Sequence, residues 1–376
     1  MRVIRCDGSR EAVWELDAAL RATLAGGEAV VPLGPRQPLP PADPGAGHVV
    51  LRTSGSTGRP KWVCLSAAAL SAAAMATYAR LGGPGRWLLA LPAQHIAGLQ
   101  VLVRAVCTGS RPVVLDLRGG FTPAGFGAAA RRLITNGVAG RCYTALVPTQ
   151  LTRLLDTDPE IPARFDAVLL GGATVSEELL TRARNSGVRV ITTYGMTETA
   201  GGCVYDGRPL EGIQVRLDGE GIVELAGPML ATGYLDAPED TAEAFHDGWF
   251  RTSDLGRLDG RGRLRVLGRA DDVIVTGGLN VAPAEVEAVL TGLPGVAAAC
   301  VVGLPDPEWG QRVTAVVIPT DPGRPPDPGA LRMAARRLLT GAQIPKEIIL
   351  FDALPLRGVG KPDRGAIRTM LAARDH

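Results

Sequence analysis

Between residues 48 and 192 short apolar runs alternate with longer segments whose apolar residues recur at helical spacing. Residues 48–51, 87–91, 112–115, 142–145, 167–170 and 188–192 read as buried strands, and residues 96–107, 124–133, 148–155 and 176–184 as helices. Strand alternating with helix predicts an α/β fold with doubly wound sheets, which bind ligands where loops leave the carboxyl ends of the strands. Ahead of this region the Pro- and Gly-rich residues 31–47 read as a linker or long surface loop. From about residue 207 to 268, short pieces such as GIQVRL, GIVELAG and GRLRVLG between Gly and Asp turns predict a small β-rich subdomain. Beyond Asp271 the pattern becomes α+β. Residues 283–290 form a helix with Val286, Val289, Leu290 and Leu293 on one face. Strands at 298–302 and 313–318, a helix near 331–339 and a strand at 347–351 follow. The expected organisation is a large unit, residues 1–271, and a mobile C-terminal unit, residues 272–376.

Composition narrows the classes. Apolar residues make up 46%, enough for a large core. A net charge of +2 is too weak to point to nucleic acid or a membrane surface. The six cysteines contain no CxxC pair and read as small buried hydrophobes, and only four histidines argue against a multi-histidine metal site. The start has no signal-like apolar core, and no apolar run reaches the ~20 residues that span a bilayer, so a cytoplasmic protein is expected. The 40 basic side chains are nearly all arginine. Lys61, Lys346 and Lys361 are the exceptions, and two of them sit in TSGSTGRPK (residues 53–61) and GVGKPDRGAI (residues 358–367). A compact ammonium is needed where a planar guanidinium cannot fit, as at a phosphate.

In the first of these strings Thr53, Ser54, Gly55, Ser56, Thr57 and Gly58 let the backbone approach a polyphosphate, and Lys61 supplies a point charge. It is not a P-loop of the Walker type, because Pro60 rather than Gly precedes the lysine. It resembles the signature phosphate loop of the adenylate-forming superfamily, which includes acyl-CoA synthetases, luciferases and peptide-synthetase adenylation domains. Trp62 departs from the small glycine usual there, and is expected to crowd the loop or reshape its rim. TTYGMTET (residues 192–199) resembles the family's adenine and magnesium segment. The resemblance implies that Tyr194, Gly195 and Met196 line the nucleotide, that Thr197 donates to the α-phosphate and that Glu198 holds Mg²⁺. Gly171, Gly172 and Ala173 would form the other wall of the adenine pocket. Asp254 would hold the ribose hydroxyls, Arg269 the ribose or phosphate, and Asp271 would be the hinge. Gly277 and Gly278 would let the CoA pantetheine arm pass, and Lys361 would contact the substrate carboxylate and α-phosphate.

The implied activity uses ATP, Mg²⁺ and CoA as co-substrate to turn a carboxylate into an acyl-adenylate and then a thioester. Family members are longer ahead of the phosphate loop, so a shortened first subdomain is implied. That economy, with residues 88–106, 142–151 and 197–207, resembles a subgroup of short CoA ligases whose acid is o-succinylbenzoate, in menaquinone biosynthesis. His95 would stand as a gate beside the acyl pocket, and Gly201, Gly202 and Cys203 would shape its floor. Arg104 and Arg141 are candidates to pair with the substrate's carboxylate or ketone. Three alternatives stay open: another aryl- or acyl-CoA ligase, an adenylation enzyme loading a carrier protein, and a non-catalytic nucleotide-binding relative. The intact Glu198, Asp254 and Lys361 argue against the last. The partners expected are small molecules, with no nucleic acid and no membrane span; a homodimer is compatible.

Overall fold

The computed structural model describes residues 1–53, 60–135, 140–357 and 361–374. Ser54, Gly55, Ser56, Thr57 and Gly58 of the phosphate loop lie outside these residues, as does the side chain of Lys361. The chain opens with β1 (Arg2–Arg5), α1 (Arg10–Leu24), β2 (Val30–Leu33), β3 (His48–Arg52) and β4 (Trp62–Ser66). β1, β2 and β3 pair in parallel and β4 runs antiparallel to β3. The expectation of a loop over residues 31–47 is therefore wrong at its start. Every residue of β2 is buried, between two neighbours, and only the chain after Leu33 is loop. The four-residue apolar run was hidden by the Pro/Gly-rich stretch that follows it.

Ser66 ends β4 and caps α2 (Ala67–Leu81), its hydroxyl accepting from the Ala69 N–H. Next come β5 (Gly85–Leu89), α3 (Ile96–Cys107), β6 (Val113–Val114), α4 (Pro123–Thr135), β7 (Arg141–Leu146), α5 (Pro148–Thr157), α6 (Glu160–Ala163), β8 (Ala167–Leu170), α7 (Glu177–Asn185), β9 (Val190–Met196), β10 (Gly201–Tyr205) and β11 (Arg208–Pro209). They build a seven-stranded sheet in the order β11-β10-β9-β8-β7-β5-β6. The five strands from β9 to β6 are parallel. Their residues alternate between two cores, as the pleat requires. Trp87, Leu89, Tyr143, Ala145, Ala167 and Leu169 face α1, α2, α3 and the first sheet. Leu88, Cys142, Leu146, Val168 and Leu170 face α4, α5 and α7. Helices on both faces make the sheet doubly wound, as expected.

The β-rich part begins later than residue 207. Asp206 and Gly207 both have positive φ and form the two-residue turn of the β10–β11 hairpin, so that segment completes the large sheet. The small sheet then takes β12 (Gln214–Leu217) and β13 (Ile222–Ala226), whereas β14 (Gly233–Tyr234) joins the first sheet beside β4. After α8 (Pro238–Ala244), the strands β15 (Phe245–His246), β16 (Trp249–Leu258) and β17 (Leu264–Arg269) finish it.

The C-terminal part holds β18 (Ile274–Thr276), β19 (Leu279–Val281), α9 (Pro283–Thr291), β20 (Val296–Asp306), β21 (Gly310–Pro319), α10 (Pro328–Ala335), β22 (Glu347–Leu350), β23 (Leu356–Arg357), β24 (Lys361–Pro362) and α11 (Arg364–Ala372). Val286 and Leu290 of α9 are buried against one face of its sheet, with Val289 and Leu293 beside them. Ile367 and Leu371 of α11 cover the other. All six cysteines are free, and five are buried. No described helix is long and apolar enough to cross a membrane.

Candidate active site

The carboxyl ends of β5, β7, β8 and β9 share one edge of the large sheet, and the sheet order reverses at β5, the point where such folds form their crevice. β8 runs straight into Gly171, Gly172 and Ala173. Gly171 has no room for a side chain: a Cβ would lie 2.3 Å from Thr193 Oγ1. On β9, a Cβ on Gly195 would meet the Gly201 carbonyl oxygen at 2.1 Å, so the β9–β10 pair closes tightly here. Residues 197–199 form a single 3₁₀ turn that presents Thr197 and Glu198. The buried Thr199 hydroxyl holds that turn, accepting from the Met196 N–H at 2.9 Å and lying 2.8 Å from the Gly201 carbonyl.

Two strands of the small sheet complete one wall. Asp254 on β16 stands opposite Arg269 on β17. The Tyr194 hydroxyl donates to Asp254 Oδ2 at 2.8 Å, and Arg269 Nη1 lies 3.7 Å from Oδ1. Burial and the Asp254 charge push the Tyr194 phenol well above its ordinary range, so it remains a donor. Arg269 also makes a two-pronged contact with Asp271, at 3.0 and 3.3 Å.

The other wall starts at the described ends of the loop between β3 and β4. They are joined where Thr53 N–H donates to the Lys61 carbonyl at 2.9 Å, at the mouth of the β3–β4 hairpin. Lys61 Nζ lies 3.0 Å from Asp240 Oδ1 and 4.4 Å from the centre of the Tyr234 ring. The Tyr234 hydroxyl in turn donates to Glu198 Oε1 at 3.2 Å. Burial raises the Glu198 carboxyl, opposed by the Tyr234 hydrogen bond and the Lys61 charge. Tyr234 and Asp240 were not anticipated. Lys61 and Asp240 stand 179 residues apart in sequence, so no local pattern carries the contact. Trp62 packs beside Val31, Leu33, Val50 and Cys64, with Arg52 over its ring, and the loop it was expected to crowd lies outside the described residues.

At the start of α3, His95 keeps one edge open to solvent, while the dense protein around the rest of the ring disfavours its charged form and lowers the imidazole from its ordinary value. Gly201 faces the same first turns of α3, where a Cβ would meet Ile96 and Gln100 side chains. A Cβ on Gly202 would meet Thr193 and Tyr205, and Cys203 is fully buried in the core, its thiol pushed up to about 12. The structure brings neither arginine candidate to this edge. Arg104 is sealed in the core, against Thr77, Tyr205 and the Trp87 ring. Arg141 starts β7, at the opposite end of the parallel strands. Gly277 and Gly278 turn the β18–β19 hairpin with positive φ, and Gly277 abuts the Trp309 ring.

Among the described residues no three His, Cys, Asp or Glu side chains gather as a metal cage. A single carboxylate beside a phosphate loop does suit Mg²⁺, which is commonly held by one or two carboxylates together with substrate phosphates.

Residues 5–235 match the AMP-binding enzyme family and residues 285–361 the AMP-binding enzyme C-terminal domain. The chain belongs to the AMP-binding enzyme family. It is 47% identical over 326 residues to the "Probable 2-succinylbenzoate–CoA ligase" of Mycobacterium tuberculosis, covering 85% of this chain and 83% of that protein. It is also similar to the solved o-succinylbenzoate CoA synthetase of Bacillus subtilis. With the complex of that protein and its acyl-adenylate intermediate, the TM-score is 0.77 at 26% identity, over 94% of this chain and 80% of the other. With its complex of ATP and magnesium ion, the TM-score is 0.75 at 26% identity, over 94% and 81%.

Proposed function

We propose that the protein is an AMP-forming ligase that adenylates o-succinylbenzoate with ATP and passes the acyl group to CoA. The observation that carries this reading is the meeting of Tyr194, Asp254 and Arg269 with Lys61, Tyr234 and Glu198 around the carboxyl edge of a doubly wound sheet. The similarity to two succinylbenzoate–CoA enzymes supports the choice of acid.

In the first step the substrate carboxylate attacks the α-phosphorus of ATP, pyrophosphate leaves, and a mixed anhydride forms. Asp254 accepts from the ribose hydroxyls in place of Tyr194, whose ring lies along the adenine between Gly171–Ala173 and β9. Ser54, Gly55, Ser56, Thr57, Gly58 and Lys61 donate to the β- and γ-phosphates, while Thr197 and Lys361 donate to the α-phosphate. Glu198 would hold Mg²⁺, which would supply positive charge to offset the charge that builds on the phosphates. Such electrostatic stabilisation is the main source of rate in phosphoryl and adenylyl transfer. In the second step the CoA thiol attacks the acyl carbon and AMP leaves. The thiol is already a few per cent thiolate at neutral pH and needs no strong base. Residues 272–376 turn about Asp271 between the steps, taking Lys361 away and bringing Gly277 and Gly278 alongside the pantetheine. His95, Gly201, Gly202 and Cys203 form the acyl side. The use of ATP and CoA supports a cytoplasmic site of action.

A panel of aromatic and aliphatic acids, assayed for pyrophosphate release with CoA or with a carrier protein as acceptor, tests the reading. The expected result is a preference for o-succinylbenzoate and for CoA. Faster turnover with another acid, or transfer only to the carrier protein, overturns it.

A further inference from the structure

Tyr234 touches both charged parts of the phosphate wall, Lys61 through its ring face and Glu198 through its hydroxyl. The ring is fixed in place. Its main chain pairs with Val63 on β4, its N–H donates to Thr241 Oγ1 at 2.9 Å, and the Thr241 hydroxyl lies 2.8 Å from the Ala237 carbonyl. Gly233 beside it is wedged against Thr241, where a Cβ would lie 2.4 Å from Cγ2. The lysine is the movable part. Its side chain is 26% exposed and that of its partner Asp240 46%, so the pair is solvated and weak. An ammonium on a flexible stem can turn its three donors to a new anion without leaving the ring, whereas an arginine would sit two-pronged on the carboxylate.

We propose that Asp240 is a built-in competitor for Lys61. Without nucleotide it holds the lysine over Tyr234, and an incoming polyphosphate takes the lysine from it, so Asp240 sets how tightly ATP is held and how readily pyrophosphate departs. The proposal rests on the ATP-dependent reading above. Asp240 is a positioning residue that acts through Lys61. A purely structural role, an acid in the first turn of α8 that complements the helix dipole, would affect stability and leave nucleotide affinity alone.

The test is calorimetric titration of the full-length protein with ATP and with pyrophosphate, with and without Mg²⁺, alongside melting temperatures. Asp240→Asn is expected to bind both about two- to fivefold more tightly, and Asp240→Glu to return toward the wild type. In a Lys61→Met background the gain from Asp240→Asn is expected to vanish. A folded Asp240→Asn protein with unchanged or weaker affinity overturns the proposal, and so does an equal gain without Lys61, which would reflect general charge. A wild-type protein that binds ATP while Asp240→Asn shows no gain sinks the proposal and leaves the ligase reading standing. A wild-type protein that binds no ATP removes both.

Discussion

Lysine is scarce in this chain, and both lysines with described side chains lie on aromatic faces: Lys61 on Tyr234 and Lys346 on Trp309, at 4.4 and 4.6 Å from the ring centres. At this scale the sequence was most legible where one residue type has one physical use. Gly171 and Gly195 were expected only to line the nucleotide; that neither has room for a side chain emerges from the structure, which shows what would fill the space. Gly195→Ala should cost about 1–3 kcal/mol through overpacking against the Gly201 carbonyl, seen as a lower denaturant midpoint with an unchanged slope. An unchanged midpoint would mean that β9 and β10 part easily. His95 offers a pH test. The protein around its ring lowers its imidazole, so its titration falls below the ordinary 6.5. Any change in KM for the acid that His95→Asn removes should therefore fall below pH 6.5; a His95-dependent change centred above that value contradicts the pocket assignment. Tyr234 and Asp240 were illegible because their meaning arises from contact with residues far away in sequence.

Among elements, legibility followed contrast between neighbours. α3 and β8 stand out as apolar runs bounded by turn residues, and both lie where expected. β2 was lost in a Pro/Gly-rich neighbourhood. The alanine-rich α2 lacks the polar stripe that marks a surface helix: it packs on α3, β4 and β10, and its outer face carries Ala68, Met75, Ala79 and Arg80. The element that follows Lys361 is anchored by a buried cluster. Arg364, the first residue of α11, lies 2.6 Å from Glu287 on α9 and 3.4 Å from Asp272, and Glu287 also accepts from the Val301 N–H. Removing one partner of a buried pair strands the other charge. Arg364→Leu should destabilise the protein by about 3–5 kcal/mol, measured by chemical unfolding, and adding Glu287→Gln should recover much of that loss. A small effect of the single change would show that the cluster is wetter than its geometry indicates.

For the whole molecule, alternating strands and helices announced the doubly wound sheet, and the described motif residues 171–173 and 194–198 lie at its carboxyl edge. The exchange of strands between sheets was not legible, because β11 and β14 are two residues long and carry no periodicity. The proposed division of labour between the two ends of the chain makes a sharp prediction. Lys361→Ala should abolish formation of the acyl-adenylate yet leave thioester formation from supplied acyl-adenylate and CoA nearly intact. Equal loss of both half-reactions would contradict a lysine that serves only the first.

Acid activation through AMP is tested most directly by splitting the reaction in time. The protein is mixed with o-succinylbenzoate, ATP and Mg²⁺ without CoA, and CoA is added later, with mass analysis of each stage. The account predicts an enzyme-bound o-succinylbenzoyl-adenylate and pyrophosphate first, then the CoA thioester and AMP after the addition. Thioester formed together with ADP, or no adenylate before CoA arrives and none consumed afterwards, would contradict it.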